Sequence, residues 1–215
     1  MKAGVDPFDS LAPDYDSWFD DKGKIIFAVE TAALKEVLPF LSKPFLEIGA
    51  GSGRFAATLG ISAGIDPSLE MVKIASTRVT NTLVGKGESL CFRPGSYHTC
   101  FIIFTLCFVQ SAKEVLRETG YILTRDGKLV IGMIPGESPW GLYYQEKREH
   151  GHPFYKHATF YSRDEVIAML DDTGFSVELE ISTLFQRPGD VRHHESPRKG
   201  FYSEAGFVII VATRN

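Results

Sequence analysis

Residues 45–66 constrain the fold of this chain more than any other stretch. They run from Phe45-Leu46-Glu47-Ile48 through Gly49-Ala50-Gly51-Ser52-Gly53-Arg54-Phe55 to Ala63-Gly64-Ile65-Asp66. A short apolar strand carries an acid, Glu47, and three glycines follow on alternate positions. A helix comes next, then a second strand that ends in Asp66. Glycines after a strand let the backbone approach a ligand closely, and a helix N-terminus beside them favours negative charge. The order of these pieces describes a nucleotide-type pocket in a parallel α/β sheet.

The rest of the chain continues the alternation. Ile25, Ile26, Val29, Ala33, Val37 and Leu38 fall at helical spacing over residues 24–38, and Pro39 stops that helix. The first strand is expected at about 44–48 and its helix from near Ser52 to Gly60. A second strand follows at about 62–66, and Ser68 is placed to cap a helix over 69–79. A short strand is expected at 82–84, and the continuous apolar run 100–109 reads as a central strand covered on both faces. Helix 111–123 leads through a turn at Asp126-Gly127 into strand 128–134, and a weakly amphipathic helix is expected at 140–150. Ser162 with Glu165 makes a capping-box pattern ahead of helix 163–172. Strands near 176–184 and 206–213, joined by a long polar loop, close the chain. Such alternation argues for an open, doubly wound, mostly parallel sheet. The first 23 residues, with Phe8, Tyr15, Trp18 and Phe19 among Asp, Gly and Pro, read as an irregular or short-helical arm.

At 215 residues and 23.9 kDa the chain fits one domain, 1–215, with at most a small cap. A net charge of −4 gives no global drive toward nucleic acid or an anionic membrane. No apolar run is long enough to span a bilayer, and the first residues lack the basic-then-apolar pattern of a secretion signal. Cys91, Cys100 and Cys107 lie in no metal spacing and cannot all pair, so reduced thiols and a cytoplasmic location are expected. His150, His152 and His157 crowd one segment, but no Cys, Asp or Glu joins them at a zinc-like spacing, so no metal is expected.

The acids select the ligand. A dinucleotide would place its diphosphate at the glycine turn, beside Glu47. At ~4 Å and an effective dielectric of about 20, that repulsion is on the order of 4 kcal/mol per charge pair. The spacing G-x-G-x-G also differs from the dinucleotide G-x-G-x-x-G, with Arg54 where the last glycine would fall. S-adenosylmethionine has no phosphate and carries an ammonium and a sulfonium, which an acid attracts. Asp66, nineteen positions after Glu47, is placed to accept both ribose hydroxyls.

On these residues the chain resembles the class I S-adenosylmethionine-dependent methyltransferases, in particular the small bacterial group with an E/D-x-G-x-G-x-G motif. The resemblance covers residues 14–185 and rests first on Glu47–Gly53, then on Gly64-Ile65-Asp66-Pro67-Ser68 with Met71. It implies a seven-stranded Rossmann-like sheet, mostly parallel, with an antiparallel strand near the C-terminus and a small helical cap. It further implies that S-adenosyl-L-methionine binds and S-adenosyl-L-homocysteine leaves. Gly49, Gly51 and Gly53 would make the close backbone contact, Glu47 would hold the cationic methionyl end, and Asp66 the ribose. Pro67, Ser68, Met71, Gly87, Glu88 and Ser89 would frame the adenine, while Thr105 and Leu106 border the methyl group. Tyr15, in an aromatic arm with Trp18 and Phe19, would fold over the cofactor. Phe154–Ser162 is similar to a segment of one subgroup. Two departures, Leu90-Cys91-Phe92 for Leu-Pro-Phe and Tyr97-His98 for Phe-Asp, bear on loop geometry more than on cofactor binding.

The implied activity is in-line methyl transfer to a small-molecule acceptor, by a monomer or homodimer, with no nucleic acid or membrane partner. Residues 1–38 would act as a lid and 135–160 would cover the substrate side. No catalytic base stands out, since methyl transfer needs one only when the nucleophile must lose a proton early. Alternatives stay open: an NAD(P)-dependent oxidoreductase, or a non-catalytic S-adenosylmethionine-binding module. Individual residues also keep plainer readings. Thr105 would serve equally as a core residue bonded to its own backbone, Glu88 as a surface acid, and the arm aromatics as a staple for the first helix. His150, His152, Tyr155 and His157 could face the substrate. The loop with Arg187, Arg192, His193, His194, Arg198 and Lys199 could attract an anion, or be a solvated loop balanced by Asp190, Glu195 and Glu204.

Overall fold

In the computed structural model, which describes residues 7–215, β1 (Phe45–Ile48) is flanked by β2 (Ala63–Asp66) and β4 (Tyr97–Ile103), both parallel to it. β3 (Asn81–Val84) pairs outside β2, and β5 (Leu123–Met133) outside β4, again parallel. β8 (Phe207–Arg214) runs antiparallel between β5 and β6 (Phe175–Thr183). The sheet order is β3-β2-β1-β4-β5-β8-β6-β7, with β7 the pair Arg198–Lys199. The sheet is therefore eight-stranded rather than seven-stranded. The added strand lies inside the long polar loop, where two exposed basic residues carry no hydrophobic pattern to announce it.

Helices cover both faces. Leu46, Ile48, Cys100 and Ile102 pack against α6 (Ala112–Ile122) and α8 (Arg163–Asp172). Phe45, Phe101 and Val130 pack on the other face against α3 (Lys24–Val37) and α4 (Arg54–Leu59). β4 is buried on both sides, as its apolar run implies, but ends earlier than that run. Phe104 takes φ 54° and turns the chain out of the sheet, so Cys107 and Phe108 line the cavity, Val109 packs on the core, and Leu106 does both. α5 (Leu69–Ala75) is capped by Ser68 and stops short of residue 79. There Ser76 and Thr77 turn their hydroxyls back onto Lys73 O and Ile74 O, which competes with continued helix. β5 starts before the Asp126-Gly127 turn and absorbs it as an irregularity, with Asp126 at φ 61°. α8 carries the full capping box between Ser162 and Glu165. The arm is helical: α1 (Pro7–Ser10) and α2 (Ala12–Trp18) precede α3, and α7 (Pro139–Glu149) lies after β5. No helix among the described residues is long and apolar enough to cross a membrane.

Candidate active site

The strand order reverses at β1, so the carboxyl ends of β1, β2 and β4 open a crevice where open α/β sheets bind ligands. Gly49, Gly51 and Gly53 take φ of 72°, 52° and 78°, a region costly to any residue with a Cβ. Their surroundings differ. A Cβ at Gly49 would overlap the Thr105 side chain, and one at Gly53 would press on Val79 and Ala75 at 3.0–3.2 Å. These two glycines let the turn pack on β4 and α5. Gly51 has room, its closest neighbour being Tyr15 Cε1 at 3.9 Å, and is the glycine whose backbone a ligand can approach.

Asp66 ties the turn together. Its Oδ2 accepts from the Gly51 amide at 2.8 Å and its Oδ1 from the Ser68 amide at 2.9 Å. Ser68 in turn accepts from the Met71 amide at 3.1 Å and donates to Asp9 in the arm at 2.6 Å. Pro67 lies between these two anchors, and Met71 is fully buried in α5.

Glu47 is 1% exposed, and its Oε2 has no hydrogen-bond partner among the described residues. Burial pushes its pKa well above the ordinary carboxylate range, against a smaller downward pull from the Ala56 amide of α4, and the charge of Asp66 adds to the rise. An unpartnered buried acceptor costs about 1–3 kcal/mol, which a donor arriving at the turn would offset. An orphaned acid oxygen beside an open glycine fits the ammonium end of S-adenosylmethionine.

At the next strand end, Gly87 packs against Ile48 and Val115, and Glu88 Oε1 accepts from the Gln110 amide at 2.8 Å. Ser89 follows in the same loop. Thr105 donates to Ile103 O at 2.9 Å, so the reading of a residue bonded to its own backbone holds for its hydroxyl.

A cavity of about 630 Å³ adjoins this crevice, and Tyr15, Glu30, Thr105, Tyr144, His152 and Tyr155 are among its walls. Of the sequence-predicted cofactor set, Tyr15, Thr105 and Leu106 line it. Glu47, the three glycines, Asp66, Pro67, Ser68, Met71 and Gly87–Ser89 lie at the neighbouring strand ends instead. Tyr15 joins the two regions: it lines the cavity, and the charges of Asp66, Glu30 and Glu47 together with its own burial raise its pKa, burial most of all. Its phenol stays protonated.

Of the four residues placed to face a substrate, His152 and Tyr155 line the cavity. His152 Nδ1 is buried without a partner among the described residues, and burial followed by the Lys147 charge holds its pKa below the ordinary histidine value, leaving it neutral at pH 7. His150 and His157 are exposed, with His150 Nδ1 bonded within its own helix turn to Glu146 O. Cys107 borders the cavity, but burial pushes its thiol up to about 12, so it is no nucleophile. In the polar loop, Arg192 pairs with Asp190 and Arg198 stacks on Phe185, while Glu195 accepts from the Phe185 amide and the Gln186 side chain.

The arm is latched by charge. Arg54, at the start of α4, holds Asp16 at 2.8 Å and Asp20 at 2.5 Å, while Arg78 holds Asp16 at 2.7 Å. Burial works to raise the pKa of Asp16, but hydrogen bonds from Arg54 and Arg78 outweigh it and hold the carboxyl well below its ordinary value. A depressed folded pKa contributes stability above the unfolded value of about 3.9 that is lost as pH falls through the folded one. Asp16→Ala is therefore expected to speed proteolytic clipping within residues 7–23 at pH 7 severalfold. The difference from the unmutated chain should shrink progressively below pH 4. Equal clipping rates at pH 7 would show that the latch does not hold the arm.

The sequence reading missed Glu30, Trp140, Tyr143 and Tyr144, all on the cavity wall. Glu30 did leave a signal: it stands four residues after Ile26 and three before Ala33, on the apolar stripe of α3.

Comparison with known proteins agrees with this geometry. A family described as a methyltransferase domain matches residues 46–131. An uncharacterized protein of Methanocaldococcus jannaschii is 39% identical over 207 residues, covering 96% of this chain and 98% of its own. A Thermotoga maritima crystal structure is 32% identical, with a TM-score of 0.90 over 97% of this chain and 98% of that one. That protein is described as an S-adenosylmethionine-dependent methyltransferase, possible histamine N-methyltransferase. Magnesium protoporphyrin IX methyltransferase of Synechocystis, solved with S-adenosylhomocysteine bound, shares the fold at 16% identity, TM-score 0.67, over 98% of this chain and 97% of that one.

Proposed function

The chain belongs to the class I S-adenosylmethionine-dependent methyltransferases, and from that premise we propose that it moves a methyl group from S-adenosylmethionine to a compact small-molecule acceptor. The observation that carries this reading is the pairing of the glycine turn and its two acids with a mainly apolar cavity at the end of β4. When bound, the cofactor supplies an activated methyl on a cationic sulfur, so the protein's task is alignment and exclusion of water.

In this reading Glu47 Oε2 takes the ammonium, Gly51 offers its backbone and Asp66 faces the ribose. Met71 and Gly87–Ser89 bound the adenine side. Gly49 and Gly53 serve by shaping the turn, and Thr105 and Leu106 form the wall beside the methyl group. Residues 1–38, of which 1–6 lie outside the described residues, act as the lid with Tyr15 at Gly51, and 135–160 close the substrate side. The cavity of about 630 Å³ is of the size that encloses a small ligand. Neither the oxidoreductase nor the non-catalytic module gains support from the likenesses above.

Calorimetry on the purified chain is expected to show S-adenosylmethionine and S-adenosylhomocysteine binding at micromolar levels and NADH not binding. Tight NADH binding with no response to S-adenosylmethionine would overturn the reading.

A further inference from the structure

The geometry points to Glu30 as the anionic anchor of an amine substrate; this rests on the methyltransferase reading and names the class of acceptor. Glu30 sits on α3, is 4% exposed, and lines the same cavity as Thr105 at the end of β4. No described residue makes a hydrogen bond or ion pair to its carboxyl. Burial alone raises its pKa well above the ordinary value, so it is a cation arriving beside it that holds the carboxylate form.

The groups around it do not neutralise it. Tyr15, Tyr144 and Tyr155 stay protonated, and the charge of Glu30 is among the causes that raise their pKa values, after burial. Of the other charged side chains on the wall, Asp14 is an acid, Lys22 pairs with no acid among the described residues, and the Lys147 ammonium lies over the Tyr143 ring at 4.6 Å. A buried carboxyl without partners is unfavourable unless a cation or strong donor arrives. The surrounding rings suit a cation too: Tyr144 and Tyr155 are 4.7 Å apart, and Tyr15 lies 5.6 Å from Phe154. Their π-faces attract positive charge. A carboxylate substrate would be repelled, and an alcohol would gain a hydrogen bond only.

The reaction makes the charge useful. An entering ammonium first gives one proton, by way of Glu30, to solvent. Methyl transfer then forms the N–C bond from the nitrogen lone pair and breaks the C–S bond with its electrons on sulfur. Positive charge thus moves from sulfur to nitrogen, toward the Glu30 carboxylate, which stabilises charge where it develops. The methylated ammonium leaves as a cation.

Three probes of one shape test this on the full chain loaded with S-adenosylhomocysteine: phenethylamine, phenethyl alcohol and phenylacetate. Calorimetry is expected to show phenethylamine binding at least about 30-fold more tightly than the other two, the scale set by a buried charge pair. Glu30→Gln is expected to erase that preference while leaving the affinities for S-adenosylhomocysteine and phenethyl alcohol unchanged. Glu30→Asp, which keeps the charge, is expected to retain the preference. A buried acid whose folded pKa is raised weakens the fold above its unfolded pKa of about 4.3, so Glu30→Gln should melt no lower than the unmutated chain at pH 7.5. Equal binding of amine and alcohol, tightest binding of phenylacetate, no amine binding, or an unchanged preference in Glu30→Gln would each overturn the inference. Failure of S-adenosylhomocysteine itself to bind would instead remove the methyltransferase reading beneath it.

Discussion

Gly49→Ala is expected to destabilise the chain by about 3 kcal/mol and to abolish binding of S-adenosylmethionine. At φ 72° a Cβ costs about 1–2 kcal/mol by itself. The overlap with Thr105 adds strain of the overpacked kind, about 1–3 kcal/mol. The clash is relieved only by moving the glycine turn or the end of β4, and both belong to the site. Gly60→Ala is the matched control: φ there is 68°, but nothing lies within 4 Å of the added carbon. It should cost only the backbone component, about 1 kcal/mol, with binding intact. Urea midpoints and calorimetry on both variants check this. Identical behaviour of the two would mean that the contact between turn and Thr105 is not what requires glycine.

Asp66→Ala is expected to raise the Kd for S-adenosylmethionine about 100-fold, near 2.7 kcal/mol. The carboxylate receives the Gly51 and Ser68 amides at 2.8 and 2.9 Å, so its loss frees both the turn and the first residues of α5. Hydrogen bonds to a charged group are worth about 1.5–3 kcal/mol each, and one such bond accounts for the expected change. Asp66→Asn, whose single carbonyl can keep one of the two amides, should fall between. An affinity for S-adenosylmethionine that stays level in both variants would take Asp66 out of the cofactor site.

Much of this was legible beforehand because the determining interactions are local. The capping box at Ser162 and Glu165 involves residues three apart, and its helix appears with the expected bounds. The strand–glycine–helix–strand run places its own acids at the ends of adjacent strands through register alone. The apolar run 100–109 correctly signalled a doubly covered strand, yet hydrophobicity could not tell sheet core from cavity wall beyond Phe104. β7 was invisible because backbone pairing, not side-chain burial, creates it. Glu30 was passed over because one acid on an apolar helix stripe reads locally as a boundary residue. Only its neighbours from other elements make it the buried acid of a cavity.

The amino-acid sequence by itself determined the doubly wound sheet, the glycine turn with its two acids, and the family, since periodicity, turn chemistry and motif spacing all act over a few residues. The tertiary structure alone decided what that site faces. The arm, α3 and the segment after β5 are far apart in the chain, and their side chains acquire a shared environment only when packing brings them over the end of β4. Burial, which gives Glu30 and Glu47 their unpaired carboxyl oxygens, is a property of that assembly and of no single segment.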